Sequence, residues 1–167
     1  MRMHLSTYFF EDDGRIPNNP VLPALVYAGA FRTAPHEAEA TFNRNDWRNG
    51  WVNGVYAYHH YHGNSHEALA VLGGSALLMI GGENGNEIEV QAGDVLVLPA
   101  GTGHKLLRAG AGFSVAGAYP GGMSYNTRTG NAGERQRDLE DIRLVPLPDQ
   151  DPVFGREGPL LANWKTK

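Results

Sequence analysis

From Trp51 to about Tyr119 the chain runs as a string of short apolar or alternating pieces: "VNGVYAYHHYH", "EALAVLGG", "SALLMIGG", "NEIEVQ", "DVLVLPA", "HKLLRA" and "FSVAGAYP". A helix needs apolar residues three and four apart over about ten or more positions, whereas alternation along a short run is the mark of a strand. All but the first of these pieces are too short for the first pattern, and glycine-containing turns separate them. Such a string folds as an antiparallel barrel or sandwich. The 22 glycines and 10 prolines agree with many turns and few long helices. "GGENGNE" at 81–87 reads as a hairpin connection.

The flanks differ in texture. "GRIPNNPVLPALVYAG" mixes prolines with short apolar pieces, which predicts extended chain and an edge strand draped over the core. In "APHEAEATFNRNDW", Pro35 suits a first helical position, and Ala38, Thr41 and Phe42 share a helical face. This is the one helix expected. "DLEDIRLVPLPDQDPVFGREGPLLANWKTK" is proline-rich and weakly periodic, which predicts irregular chain. A length of 167 residues suits one domain: a barrel core at about 50–120, an N-terminal extended arm and helix at 1–49, and a C-terminal irregular extension at 121–167.

A formal net charge of -4, with scattered lysines and arginines, offers no electrostatic footprint for nucleic acid or an acidic membrane surface. The opening "MRMHLSTYFFEDDG" reaches acidic residues before any apolar run of leader length, and no segment approaches a membrane span, so the expected location is cytoplasmic. With no cysteine in the chain, disulfides and thiolate chemistry drop out and any metal must use nitrogen and oxygen ligands.

"HHYHGNSHE" at 59–67 concentrates four of the seven histidines. On an extended segment His60 and His62 point to one side, and His59 and Tyr61 to the other. Glu67 has the wrong parity for one continuous strand, but the "GNS" turn at 63–65 can reset the phase and bring it in from the next strand. His104, after the strand "DVLVLPA" and a glycine turn, is the remaining donor. Three imidazoles and a carboxylate suit one divalent transition metal ion (Fe, Mn, Zn, Ni or Co) and leave open coordination positions for a small-molecule ligand or substrate. His59 reads as a surface or interface residue and His66 as a local structural one, while His4 and His36 carry no visible chemistry. Tyr56, Tyr58, Met79 and Tyr119 are candidate cavity residues. The glycines of "PAGTGH" read as turn geometry presenting His104.

The spacing carries a resemblance. Five residues separate Gly54 from His60, four separate His62 from Glu67, and six lead from there to Gly74; five separate Gly93 from Pro99, with Gly101 and His104 following. Both patterns resemble the two motifs of the cupin superfamily, with Arg108 where an asparagine often closes the second. Phrases such as "DDGRIPNNP", "GGENG", "LPAGTGHK" and "GAYPGG" resemble, along most of the chain, the small bacterial YjlB-like cupins. The resemblance implies an all-β double-stranded barrel of jelly-roll type, metal-ligand roles for His60, His62, Glu67 and His104, and a homodimer. It is compatible with a metal-dependent enzyme, oxidoreductase or dioxygenase-like by analogy of fold, with a metal-dependent isomerase or hydrolase, and with a non-catalytic binding or sensing module.

Overall fold

A computed structural model describes residues 3–165. Nine strands are joined by short turns and helices: β1 (His4–Tyr8), β2 (Ala24–Ala28), α1 (Ala38–Arg44), β3 (Trp47–Asn53), β4 (Glu67–Gly73), β5 (Ser75–Ile80), β6 (Asn86–Gln91), β7 (Val95–Leu98), β8 (His104–Ala109), β9 (Ser114–Pro120), α2 (Arg135–Leu144) and α3 (Pro159–Asn163). One sheet has six strands in the order β1-β2-β7-β4-β9-β3, the other three in the order β6-β5-β8, and every pairing is antiparallel. This is the double-stranded cupin barrel.

Two apolar layers explain which strands alternate. Leu78, Ile80, Ile88 and Val90 of the small sheet meet Leu69, Val71, Leu96 and Leu98 of the large one in the barrel interior. On the outer face of the large sheet, Leu25, Tyr27, Ala68, Val95 and Val97 pack against Phe42, Trp47, Leu160 and Trp164. Strands β2, β4 and β7 are therefore covered on both faces, and their continuous apolar runs follow from that. In β6, only Ile88 and Val90 are buried, giving the plain alternation of a strand with one wet face.

The hairpin expected at 81–87 joins β5 to β6, and α1 buries Ala38, Thr41 and Phe42 as its spacing predicts, with Pro35 opening a 3-10 turn just before it. Both flanks contribute more than expected. The N-terminal arm supplies an edge strand, β1, and also β2, which pairs with β1 and β7 and lies inside the sheet. The C-terminal extension contains the ten-residue helix α2 where irregular chain is expected. Its only buried residues are Asp138 and Ile142, one turn apart, too few to write a visible period. Among the described residues no helix is long and apolar enough to cross a membrane.

Candidate metal centre

The strand expected through 55–62 is replaced by irregular chain: β3 ends at Asn53, and only the bridges His60–His104 and Tyr61–Arg128 continue the pairing. Those bridges suffice to hold the histidines in place. His60 N–H donates to the His104 carbonyl at 3.1 Å and His104 N–H to the His60 carbonyl at 2.9 Å, while Gly101 N–H donates to the His62 carbonyl at 2.8 Å. Gly101 has φ +90, and a Cβ there would meet the side chain of Ile142 and the backbone of Asn18, so the turn before His104 requires glycine. Glu67 opens β4 after the turn at 63–66.

His62, Glu67 and His104 are buried and each offers a ligand atom within 4.8 Å of the others. The ring of His60 lies 4.0 Å from that of His104, centroid to centroid, outside this closest group. The tautomers follow from the backbone. Nδ1 of His60, His62 and His104 lies 3.0, 2.6 and 3.1 Å from the carbonyls of Tyr58, Asn126 and Thr102 respectively. A carbonyl only accepts, so each Nδ1 carries a proton, and whenever the ring is neutral the lone pair lies on Nε2.

Glu67 faces those lone pairs. Its Oε1 lies 3.3 Å from Nε2 of both His62 and His104 and has no hydrogen-bond partner, although the residue is 1% exposed. Its Oε2 accepts from the Tyr119 hydroxyl at 2.7 Å, and that hydroxyl accepts from the Trp51 indole at 2.7 Å. A buried carboxylate oxygen opposite imidazole lone pairs is repulsive until a metal ion, or a proton on Nε2, lies between them, and three nitrogens and an oxygen around one point are a donor set that fits a metal ion.

Without an ion, the positive charge that Glu67 needs has to come from protons on the rings themselves. Burial would raise the Glu67 carboxyl, but His62 and His104, acting as donors, outweigh it and hold the group well below the usual carboxylate range. Burial, with His104 beside it, pushes His60 down to about 3, so it stays neutral. For His62, burial lowers the affinity for a proton but the neighbouring Glu67 charge reverses the balance upward. Burial and the Glu67 charge keep the Tyr119 phenol protonated.

The centre lies in a cavity of about 270 Å³, lined by all four of these donors together with Tyr56, Tyr119 and other residues. Tyr58 is displaced from it into an outer groove, stacked on Tyr56 with centroids 5.0 Å apart. Met79 lies between the buried Leu78 and Ile80 on β5, and alternation turns it to the outer face of the small sheet. His59 likewise points outward, its Nε2 3.1 Å from Glu83 Oε1. His66 has a structural role with longer reach than a local turn: its Nδ1 accepts from Ala100 N–H at 2.9 Å, and its Nε2 is paired with the Pro146 carbonyl at 3.2 Å.

Sequence reasoning misses Trp51, Tyr125 and Asn126. Trp51 is paired in register with Gly117, where a Cβ would stand 2.5 Å from the indole, so a glycine opposite a tryptophan is the one signal available for it. Tyr125 and Asn126 belong to a segment that clamps the first motif. Asn126 Oδ1 accepts from Gly63 N–H at 2.7 Å, and Asn64 Oδ1 accepts from Asn126 N–H at 2.9 Å. Nothing local in "SYNTR" announces this.

Comparison with known proteins adds the following. Residues 51–114 match the cupin domain family. "Uncharacterized protein YjlB" of Bacillus subtilis (strain 168) is 44% identical over 164 residues, covering 98% of this chain and 99% of the relative. Among solved structures, an uncharacterised conserved protein with a double-stranded β-helix domain from Klebsiella pneumoniae aligns over 78% of this chain and 85% of its own, at 15% identity and a TM-score of 0.40. Acireductone dioxygenase from Bacillus anthracis, with a cadmium ion in its active centre, aligns over 50% of this chain and 57% of its own, at 17% identity and a TM-score of 0.37.

Proposed function

The chain belongs to the cupin superfamily, alongside its YjlB relative, and from that premise we propose that it is a mononuclear metal-dependent enzyme acting on a small organic molecule. His62, Glu67 and His104 hold the ion, and His60 completes the set with the Nε2 that its bond to the Tyr58 carbonyl leaves free. The observation that carries this reading is the buried Glu67 Oε1, without a hydrogen-bond donor and facing the Nε2 atoms of two histidines.

The donor set suits iron, manganese, zinc, nickel or cobalt, and an ion bound there would act as a Lewis acid or as a centre for oxidative chemistry. The chain's own residues do the rest. Backbone carbonyls fix each imidazole in the coordinating tautomer, and Tyr119, itself held by Trp51, aims the Glu67 carboxylate. The cavity admits a small molecule beside the donors.

A second reading, a non-catalytic binding or sensing module, is favoured by one observation. The cavity's ionisable groups are the four proposed ligands and three tyrosines, and Tyr119 is already committed to Glu67, so no free general acid or base of ordinary strength stands beside the centre.

Elemental analysis of protein purified without chelators or nickel resin tests the metal. The expected result is about one equivalent per chain in wild type, its loss in His62→Ala and its retention in His59→Ala. Wild-type protein that neither contains nor takes up a metal, or equal loss in both variants, overturns the assignment. Turnover of a bound compound, against saturable binding without consumption, then separates enzyme from sensor.

A further inference from the structure

We propose that the molecule taken into this cavity carries a single aromatic ring and no more than one negative charge, as a phenol or an aromatic monocarboxylate does; the charge half of this rests on the metal reading above. Size sets the first bound. A cavity of about 270 Å³ lies just below the roughly 300–1,000 Å³ of sites that take drug-sized ligands, which suits one substituted ring.

The wall sets the second. Tyr119 and Tyr125 stack with centroids 4.0 Å apart and planes 19° apart, and Tyr125 stands edge-on to His62 at 4.9 Å. At the mouth, Tyr56 is 56% exposed and stands edge-on to His60 at 5.1 Å. The Trp51 indole forms a further wall, in space open only because residue 117 is glycine. Aromatic side chains thus flank the histidines from both the buried and the open side. A planar ring entering this space gains ring contact with the parts of Tyr56, Tyr125 and Trp51 that remain exposed, as well as buried area, whereas a small aliphatic acid leaves more of that surface wet.

Charge sets the third bound. No lysine or arginine is among the described residues lining the cavity, and Glu67 is its one acidic side chain. A divalent ion with one carboxylate and neutral imidazoles leaves a single positive charge to be met. A dicarboxylate or a phosphate would bury a second negative charge with no partner, while Asn53 and Thr127 offer only neutral hydrogen-bonding groups.

Titration calorimetry on zinc-loaded protein with benzoate, acetate and phthalate separates these bounds. Benzoate is expected to bind at least about tenfold more tightly than acetate, which has the same charge and no ring, and than phthalate, which has the ring and a second charge. Tyr125→Leu and, independently, Tyr56→Ser should each weaken benzoate several-fold and leave acetate unchanged. Equal binding of benzoate and acetate, or variants that lower both alike, overturns the ring requirement; phthalate as tight as benzoate overturns the charge limit. Zinc uptake is measured first on the same samples. If zinc does not bind, the metal reading and the charge limit both fall, and the ring requirement is then judged on the metal-free protein. Phenol bound in preference to ethanol, with the preference lost in Tyr125→Leu, upholds it, and no preference overturns it.

Discussion

Of the buried carboxylates paired with a tyrosine, Asp151 and Glu67 divide the molecule between architecture and chemistry. Asp151 lies on the outer side of the large sheet, where Oδ1 accepts from the backbone N–H of Val153 and Phe154, and Oδ2 from Leu160 N–H and the Tyr27 hydroxyl. Every partner is a neutral donor and both oxygens are satisfied. It ties the C-terminal segment to β2. Glu67 has the tyrosine on one oxygen and no donor on the other, with imidazole lone pairs turned toward it. The first arrangement is complete without a ligand. The second leaves an oxygen unpaired, where the proposed cation would bind.

The histidines divide in the same way. Both ring nitrogens of His66 are paired with backbone, so it is a finished structural element that ties Ala100 and Pro146 together. The three histidines of the centre spend only Nδ1 on backbone.

The sharpest break of this comparison is Asp151→Ala, which leaves four donors without an acceptor, two of them, the Tyr27 hydroxyl and Leu160 N–H, fully buried. Denaturant unfolding should show a loss of roughly 3–5 kcal/mol. An unchanged midpoint would mean that Asp151 is not the structural counterpart claimed.

Acid titration of the metal-free protein probes the histidines. Burial depresses His66 to about 4 in the folded chain, against the ordinary 6.5. A depressed group contributes stability that is complete above the unfolded value and lost as pH falls toward the folded one. Stability should therefore drop between pH 6.5 and about 4, by roughly 3 kcal/mol from His66 alone. His60, also depressed, acts in the same direction. His62, raised by Glu67, opposes them, since its contribution is present at low pH and lost as pH rises through its folded value. Stability that holds level or rises across that window would show that His66 is not buried as a neutral ring.

The smallest effect on stability, and the most telling, is expected of Glu67→Gln. An amide keeps an acceptor for Tyr119 and supplies N–H donors to the lone pairs of His62 and His104. The metal-free protein should change by less than about 1 kcal/mol, while metal affinity falls by more than the roughly 10- to 100-fold that loss of an outer-shell partner costs. A large destabilisation with affinity intact would make Glu67 a second Asp151.

What could be read in advance followed the reach of each interaction. The side-by-side direction of His60 and His62, the turn that resets the phase before Glu67, and the glycine that bends the chain before His104 are decided within a few bonds, so the fold class and the candidate donors are legible as spacing. The same locality misplaced Met79 and Tyr58, because which wall a side chain joins depends on sheet facing and on where β3 stops. It hid β2 inside the sheet and α2 on the far flank, whose burial is decided by partners distant in sequence.

The sequence by itself determined the barrel, its turns and the four candidate donors, since periodicity and turn chemistry are local properties of the chain. Only the tertiary structure decided that Asn126 fixes the tautomer of His62, that Trp51 and Tyr119 aim Glu67, and that Tyr125 walls the cavity. Those contacts join segments far apart in the chain, and no local pattern records an oxygen left without a partner until folding has brought its neighbours around it.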